Sequence, residues 1–331
     1  MKKAATCLLL ILLALPMVGR AQKGDILRTR DSVFFKTDEA RRIGDQLLLF
    51  QRVTGGWPKN IDMVKPLTDE EAEAVQASKS RQDDSTIDNH STTTQMAFLA
   101  RLFQQTRDER YKTAFCHGVE YLLSGQYANG GWPQFWPMNR GYQVHITYND
   151  DAMINVMKLL RYVVQQAVPY DTTLVDEPLR QRCEQAFNNG IDCILRTQIV
   201  VDGEPTVWCQ QHDHETLQPA KARAYELPSF VSHESATIVG FLMQLPSPDE
   251  RIVRAVNGAM KWFAVHQLEG DSPLWARFYD LQEGLPFFCD RDGQPRRRLE
   301  DISEERRNGY SWYSKSPAAL FEQYEKWKEK K

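Results

Sequence analysis

A glutamine followed within a few residues by a tryptophan recurs four times along this chain, and that repeat restricts the fold more than any other feature. Gln51 leads to Gly55-Gly56-Trp57-Pro58 and Gln126 to Gly130-Gly131-Trp132-Pro133; Gln198 leads more loosely to Pro205 and Trp208, and Gln267 to Pro273 and Trp275. The glutamines stand 75, 72 and 69 residues apart. Repetition at such a period implies stacked supersecondary units, each burying its apolar face against its neighbours.

Apolar residues at i, i+3 and i+4 flank every copy and predict one helical hairpin per repeat. Before the tryptophans they are Ala40, Ile43, Leu47 and Phe50; Phe115, Val119 and Leu122; Phe187, Ile191 and Ile194; and Ile252, Val256, Ala259 and Phe263. After them come Met96, Leu99 and Phe103; Met153, Val156 and Leu160; Ile238, Phe241 and Leu245; and a last helix near 316–329. Connections inside the hairpins are long (54–91, 125–149, 198–232 and 268–315), whereas those between hairpins are mostly short. Antiparallel helices alternate direction, so all the long loops emerge at one end, and long loops usually carry function. The expected fold is all-α, an incomplete α/α toroid of helical hairpins with its active site on the long-loop face.

Residues 1–21 read as a secretory signal. Lys2 and Lys3 precede the apolar run Cys7–Val18, and Gly19-Arg20-Ala21 offers a small-x-small cleavage site. The run is too short to span a bilayer, so the remainder, 22–331, is expected as a single secreted catalytic domain, periplasmic or extracellular, monomeric and free of the membrane. Loss of the three leader cations takes the net charge from −3 to −6, which argues against a nucleic-acid partner. Cys116, Cys183, Cys193, Cys209 and Cys289 are odd in number and lack Cys-x-x-Cys spacing, so buried thiols are expected rather than disulfides or a zinc site.

The polar signals fall on the long loops. Asp88-Asn89 lies just before one helix and Asn149-Asp150-Asp151 opens another. Brought to one face, these oxygens suit a hard cation such as calcium, although Asp and Asn are also ordinary helix caps. Lys221-Ala222-Arg223-Ala224-Tyr225-Glu226, Trp275-Ala276-Arg277-Phe278-Tyr279 and Asp290-Arg291-Asp292-Gly293 place cations beside aromatic rings. Guanidinium forks match carboxylates and aromatic faces match sugar rings, so these segments suit a carboxylate-bearing polymer. Arg296-Arg297-Arg298 reads as a solvated turn, because residues 277–307 hold seven Arg against eight Asp and Glu. His212-Asp213-His214 lacks the partner motif that makes a zinc site specific, and no metal role is expected for it.

These segments, together with Gly55–Asn60, Thr86–Gln95, Tyr148–Met153 and Arg306–Tyr310, resemble the family 10 polysaccharide lyases, which are pectate lyases, across nearly the whole chain. The resemblance implies calcium-assisted β-elimination of polygalacturonate. It implies that Asp88 and Asp150 hold Ca2+ with help from Asp151, and that Asn89 stands beside the substrate. It further implies that Arg223 and Arg277, with Lys221 and Tyr279 nearby, bind uronate units and that Arg291 is the catalytic base. His90 departs from many relatives, and the segment before Trp275 is shorter than in many. Alternatives open at this point are an inverting glycoside hydrolase using Asp88 and Asp150, a terpenoid-cyclase-like toroid, and a non-catalytic pectin-binding module.

Overall fold

The structure, a computed structural model, describes residues 26–330; the expected leader lies outside them. Ten α-helices are described: α1 Asp38–Phe50, α2 Asp69–Ala77, α3 Thr93–Thr106, α4 Glu109–Ser124, α5 Ala152–Val164, α6 Glu177–Thr197, α7 Ser232–Leu242, α8 Glu250–Val265, α9 Glu304–Asn308 and α10 Ala318–Lys328. The short α2 and α9 sit within long loops. The other eight make four hairpins, α1/α3, α4/α5, α6/α7 and α8/α10, in two layers. One layer runs α3, α5, α7, α10 and the other α1, α4, α6, α8, each helix packing on the next. This is an incomplete α/α toroid, and no helix among the described residues is long and apolar enough to cross a membrane.

The repeat has a mechanical explanation. Each tryptophan is buried and its indole N–H donates back to the helix it follows: Trp57 to Leu47 O (2.9 Å), Trp132 to Leu122 O (2.7 Å), Trp208 to Ile194 O (2.7 Å) and Trp275 to Phe263 O (2.9 Å). The glutamine amide donates forward to the next hairpin. Gln51 Nε2 reaches Gly55 O and Ala114 O, each at 2.8 Å. Gln126 Nε2 reaches Gly130 O (3.0 Å) and Ala186 O (2.8 Å), and Gln198 Nε2 reaches Thr206 O (2.8 Å) and Ala255 O (2.9 Å). The degenerate third copy thus works as the first two do. Gln267 is exposed, and among the described residues no hairpin lies beyond its own for its amide to reach. Gly130 has φ +91°, and a Cβ there would lie 2.0 Å from Asn189 O, so no side chain fits.

The helices begin in two different ways. At the short connections, side-chain oxygens cap them: Asp108, Asp176 and Asp249 accept from Arg110 N (3.0 Å), Leu179 N (3.0 Å) and Ile252 N (2.9 Å). At the long-loop face, no side-chain oxygen caps α3, α5 or α7 among the described residues. The carboxylates at those helix starts are therefore not ordinary caps.

The long loops stitch to one another. Thr86 bridges to Phe135, Ile146–Thr147 pairs antiparallel with Gln211–His212, and Phe230–Val231 with Phe278–Tyr279. Beneath the third and fourth loops lies a small second core of Tyr225, Val231, Phe278, Phe287, Phe288, Ile302 and Trp312. The five described cysteines carry free thiols, four of them buried, as expected.

Candidate active site

The first two loops reach their helices through the same backbone device. Thr86 N and Thr147 N donate to the carbonyls of Trp57 and Trp132, each at 3.1 Å. Two consecutive left-handed residues then follow: Asn89 (φ 49°) and His90 (φ 60°) before α3, Asp150 (φ 50°) and Asp151 (φ 59°) before α5. Non-glycine residues in this region are strained by about 1–3 kcal/mol each, a cost that gathers at functional sites. The two kinked turns pack against each other, bringing Asp88 to Asp150.

Around them a polar network crosses three loops. Lys59 Nζ pairs with Asp88 Oδ2, leaving the buried Oδ1 without a hydrogen-bond partner among the described residues. Asn149 Nδ2 donates to Asp150 Oδ2 at 2.7 Å. Gln210 Nε2 lies within 3.0 Å of both Asn149 Oδ1 and Glu234 Oε1, and 3.3 Å from the Tyr310 hydroxyl. Arg277 closes an ion pair on buried Glu234, whose Oε2 has no partner among the described residues. The Tyr310 hydroxyl donates to Glu226 Oε1 (2.8 Å), which also takes Arg223 Nη2 (2.5 Å). Tyr310 underlies both cations, its ring centroid 4.9 Å from the Arg277 guanidinium and 5.6 Å from that of Arg223.

The charges bear on one another. Crowding by the surrounding chain, then the negative charges of Asp88 and Glu234, push the Asp150 carboxyl above the usual carboxylate range; Arg277 and Arg223 pull it down. Arg223 and Arg277 are themselves held protonated by Glu226 and Glu234 against the pull of burial.

The expected site residues divide on this geometry. Asp88, Asn89, Asp150, Asp151, Arg223 and Arg277 come together; Asn89 is exposed, its amide donating to Asn60 Oδ1 at 2.9 Å. Lys221 is exposed and lies over the turn at Gly293. Arg291 stands outward with 65% of its side chain exposed, forked onto Glu305 (2.9 and 3.2 Å), which keeps it protonated. Tyr279 does not reach the site. It is 1% exposed, its ring packs edge-on to Trp262, and its hydroxyl is used by Ala276 N (3.0 Å) and His266 O (2.7 Å). It braces the segment that carries Arg277, accepting from Ala276 N on the residue before it. Arg296, Arg297 and Arg298 each pair with nearby carboxylates, as expected of a solvated turn.

Sequence reasoning missed Lys59, Gln210, Glu226, Glu234 and Tyr310. The structure shows why Glu234 belongs with the site: Val231 N donates to Trp208 O (2.9 Å) as Thr147 N does to Trp132 O, so Glu234 occupies the place in the third copy that Asp150 holds in the second. Asp213 and His214 of the His-Asp-His run stand beside His145 from another loop, a neighbour that the run's own sequence did not indicate.

This arrangement of acids and guanidiniums on the loop face of an α/α toroid is that of a polysaccharide lyase. A family model described as pectic acid lyase matches residues 51–272 and 268–321, and the chain belongs to that family. Its activity is that of a pectate lyase, which sets aside the hydrolase, cyclase and binding-module alternatives. The chain is 32% identical to a family 10 polysaccharide lyase from Cellvibrio cellulosa, with TM-score 0.80, 92% of this chain and 96% of that one covered. A mutant of the Cellvibrio cellulosa enzyme, solved in complex with trigalacturonic acid, matches at TM-score 0.80 and 32% identity over 92% of this chain and 97% of that one. No curated protein matches.

Proposed function

We propose that the protein is a secreted, monomeric lyase, a single catalytic domain over 22–331, that cleaves α-1,4-polygalacturonate by calcium-assisted anti-β-elimination to 4,5-unsaturated oligogalacturonides. The observation that carries this reading is the meeting of two kinked turns at Asp88 and Asp150 beside Arg223 and Arg277. The relative holding trigalacturonic acid supports the substrate class, and the leader-like residues 1–21 support export.

The donor chemistry suits calcium. Asp88 Oδ1 and Asp151 Oδ1 are buried acceptors without partners among the described residues, and Asp150 is destabilised by its acidic neighbours. Asp88, Asp150 and Asp151 would hold the ion, with uronate and water oxygens completing the shell. When bound, it draws charge from the uronate carboxylate and so acidifies the adjacent C5 hydrogen.

The chain's own groups supply the rest. Arg277 grips a uronate carboxylate from a buried, pre-oriented position on Tyr310. Arg291, exposed and forked, exchanges Glu305 for a second carboxylate of the polymer. Arg223, beside Arg277 and Asp150, takes the C5 proton in its neutral form; the C5–H electron pair becomes the C4=C5 double bond, the C4–O bond breaks and the leaving oxygen takes a proton from water. An arginine accepts a proton only if first deprotonated; the positive charge of Arg277 favours that and Glu226 opposes it. This reassigns the base from Arg291 to Arg223.

The test is to incubate the protein with demethylated polygalacturonate and follow the ultraviolet absorbance of the unsaturated product, with calcium and with chelator. Absorbance should rise only with calcium. Reducing ends appearing without that chromophore would mean hydrolysis and overturn the reading.

A further inference from the structure

Away from the Asp88–Asp150 turns, the second and third long loops bring His145, Asp213 and His214 together, and the lyase chemistry uses none of them. One ligand atom from each lies within 4.8 Å of the other two, and no other group of three or more His, Cys, Asp and Glu residues among the described residues is so close. His145 Nδ1 and His214 Nδ1 are buried and have no hydrogen-bond partner among the described residues. We propose that these three side chains are a site for a zinc-class divalent ion that pins the second long loop to the third.

The donor set decides the class of ion. Two imidazoles and one carboxylate match three-ligand zinc sites, with water as the fourth ligand, whereas calcium takes oxygens alone. Zinc bonds of about 2.0–2.1 Å put neighbouring tetrahedral ligand atoms roughly 3.4 Å apart. His145 Nδ1 and Asp213 Oδ2 are 3.6 Å apart, so the pair needs almost no movement.

The Asp213 carboxylate is held by donors of its own, as metal ligands commonly are, and the backbone of each histidine is anchored. Asp213 Oδ1 accepts from Thr216 N (2.8 Å), Thr216 Oγ1 (3.0 Å) and Glu215 N (3.1 Å), leaving Oδ2 for the ion. The carbonyl of His214 takes Asn129 Nδ2 at 2.6 Å, and its ring packs 5.5 Å from that of Tyr127. His145 N donates to Tyr142 O (3.0 Å), and the next residue, Ile146, pairs with His212. His212 itself is excluded as a ligand: Nδ1 faces Leu217 O (2.9 Å) and Nε2 takes Cys209 N (3.1 Å).

The test uses untagged, chelator-stripped full chain titrated with zinc chloride in a calorimeter. One equivalent should bind and raise the melting temperature. His145→Ala and His214→Ala should each weaken binding at least about tenfold, while Asp150→Ala leaves it unchanged. Wild-type protein loaded with cobalt(II) should show the visible absorption of a tetrahedral nitrogen–oxygen site, a readout that needs no variant to fold. The inference is overturned if zinc fails to bind, if its binding survives both histidine substitutions in folded protein, or if cobalt(II) shows only its hydrated spectrum.

Discussion

Asp150 is the residue at which stability and function are set against each other. Its carboxyl is pushed up by crowding and by Asp88 and Glu234, so its folded pKa lies above its unfolded one. Between those values the folded state binds more protons, and the stability of metal-free protein falls as pH rises through that window. Asp150→Asn should remove that pH dependence and raise the melting temperature of metal-free protein at neutral pH. The same change should lower lyase activity by orders of magnitude. Thermal melts in chelator across mildly acidic to neutral pH, with assays alongside, test this; a lower melting temperature with activity retained would revive helix capping. The arginines separate by kinetics. Arg223→Lys should cut kcat by at least about 100-fold, roughly 2.7 kcal/mol, with substrate affinity nearly kept, because lysine holds the charge but moves the proton acceptor. Arg291→Lys should instead raise KM more than it lowers kcat, since an exposed fork is lost rather than the acceptor. The reverse pattern in steady-state kinetics would return the base to Arg291.

At the scale of the element, the glutamine between helix and tryptophan is what joins one hairpin to the next. Gln51 is buried and its amide serves two backbone carbonyls, one in its own loop and one in α4. Removing it leaves both carbonyls without that donor, and Gln51→Ala should cost about 2 kcal/mol. Gln267, at the same place in the last copy, is exposed, and Gln267→Ala should cost less than about 0.5 kcal/mol. Urea denaturation of the two variants compares them directly; equal losses would mean that the bond to the next hairpin contributes nothing. The helical stripes were legible because each needs only local spacing. Residue 316 is a serine outside the last helix, which begins at Ala318 behind Pro317.

At the scale of the whole molecule, the loops of one face form a continuous layer over the toroid, with their own core around Phe278, Tyr225 and Trp312. A cation joining Asp88 of the first loop to Asp150 of the second should therefore stabilise the fold as well as serve the chemistry. At a hundredfold excess over its dissociation constant, calcium should add about 2.7 kcal/mol to stability. Differential scanning calorimetry of wild type with calcium and with chelator measures that increment, and Asp88→Ala should abolish it. An equal calcium effect in Asp88→Ala would place the ion elsewhere.

Periodicity, loop lengths and repeat spacing determined the hairpins, the toroid and the busy face, because these follow from contacts that recur at fixed separations along the chain. Short polar motifs likewise marked Asp88, Asp150, Arg223 and Arg277. Tertiary structure alone decided which neighbours those residues meet. Arg277 lies in the break between the two-residue strands Trp275–Ala276 and Phe278–Tyr279, where its guanidinium turns to Glu234 and Tyr310, whereas Tyr279, two residues on, packs its ring against Trp262 in the core. Arg291 looked like Arg223 in sequence but was placed outward by its pairing with Glu305, fourteen residues away. His145 met Asp213 and His214 only through the pairing of two loops. Electrostatics depends on distance in space, and the distances between loops are set by the packing of the helices that carry them.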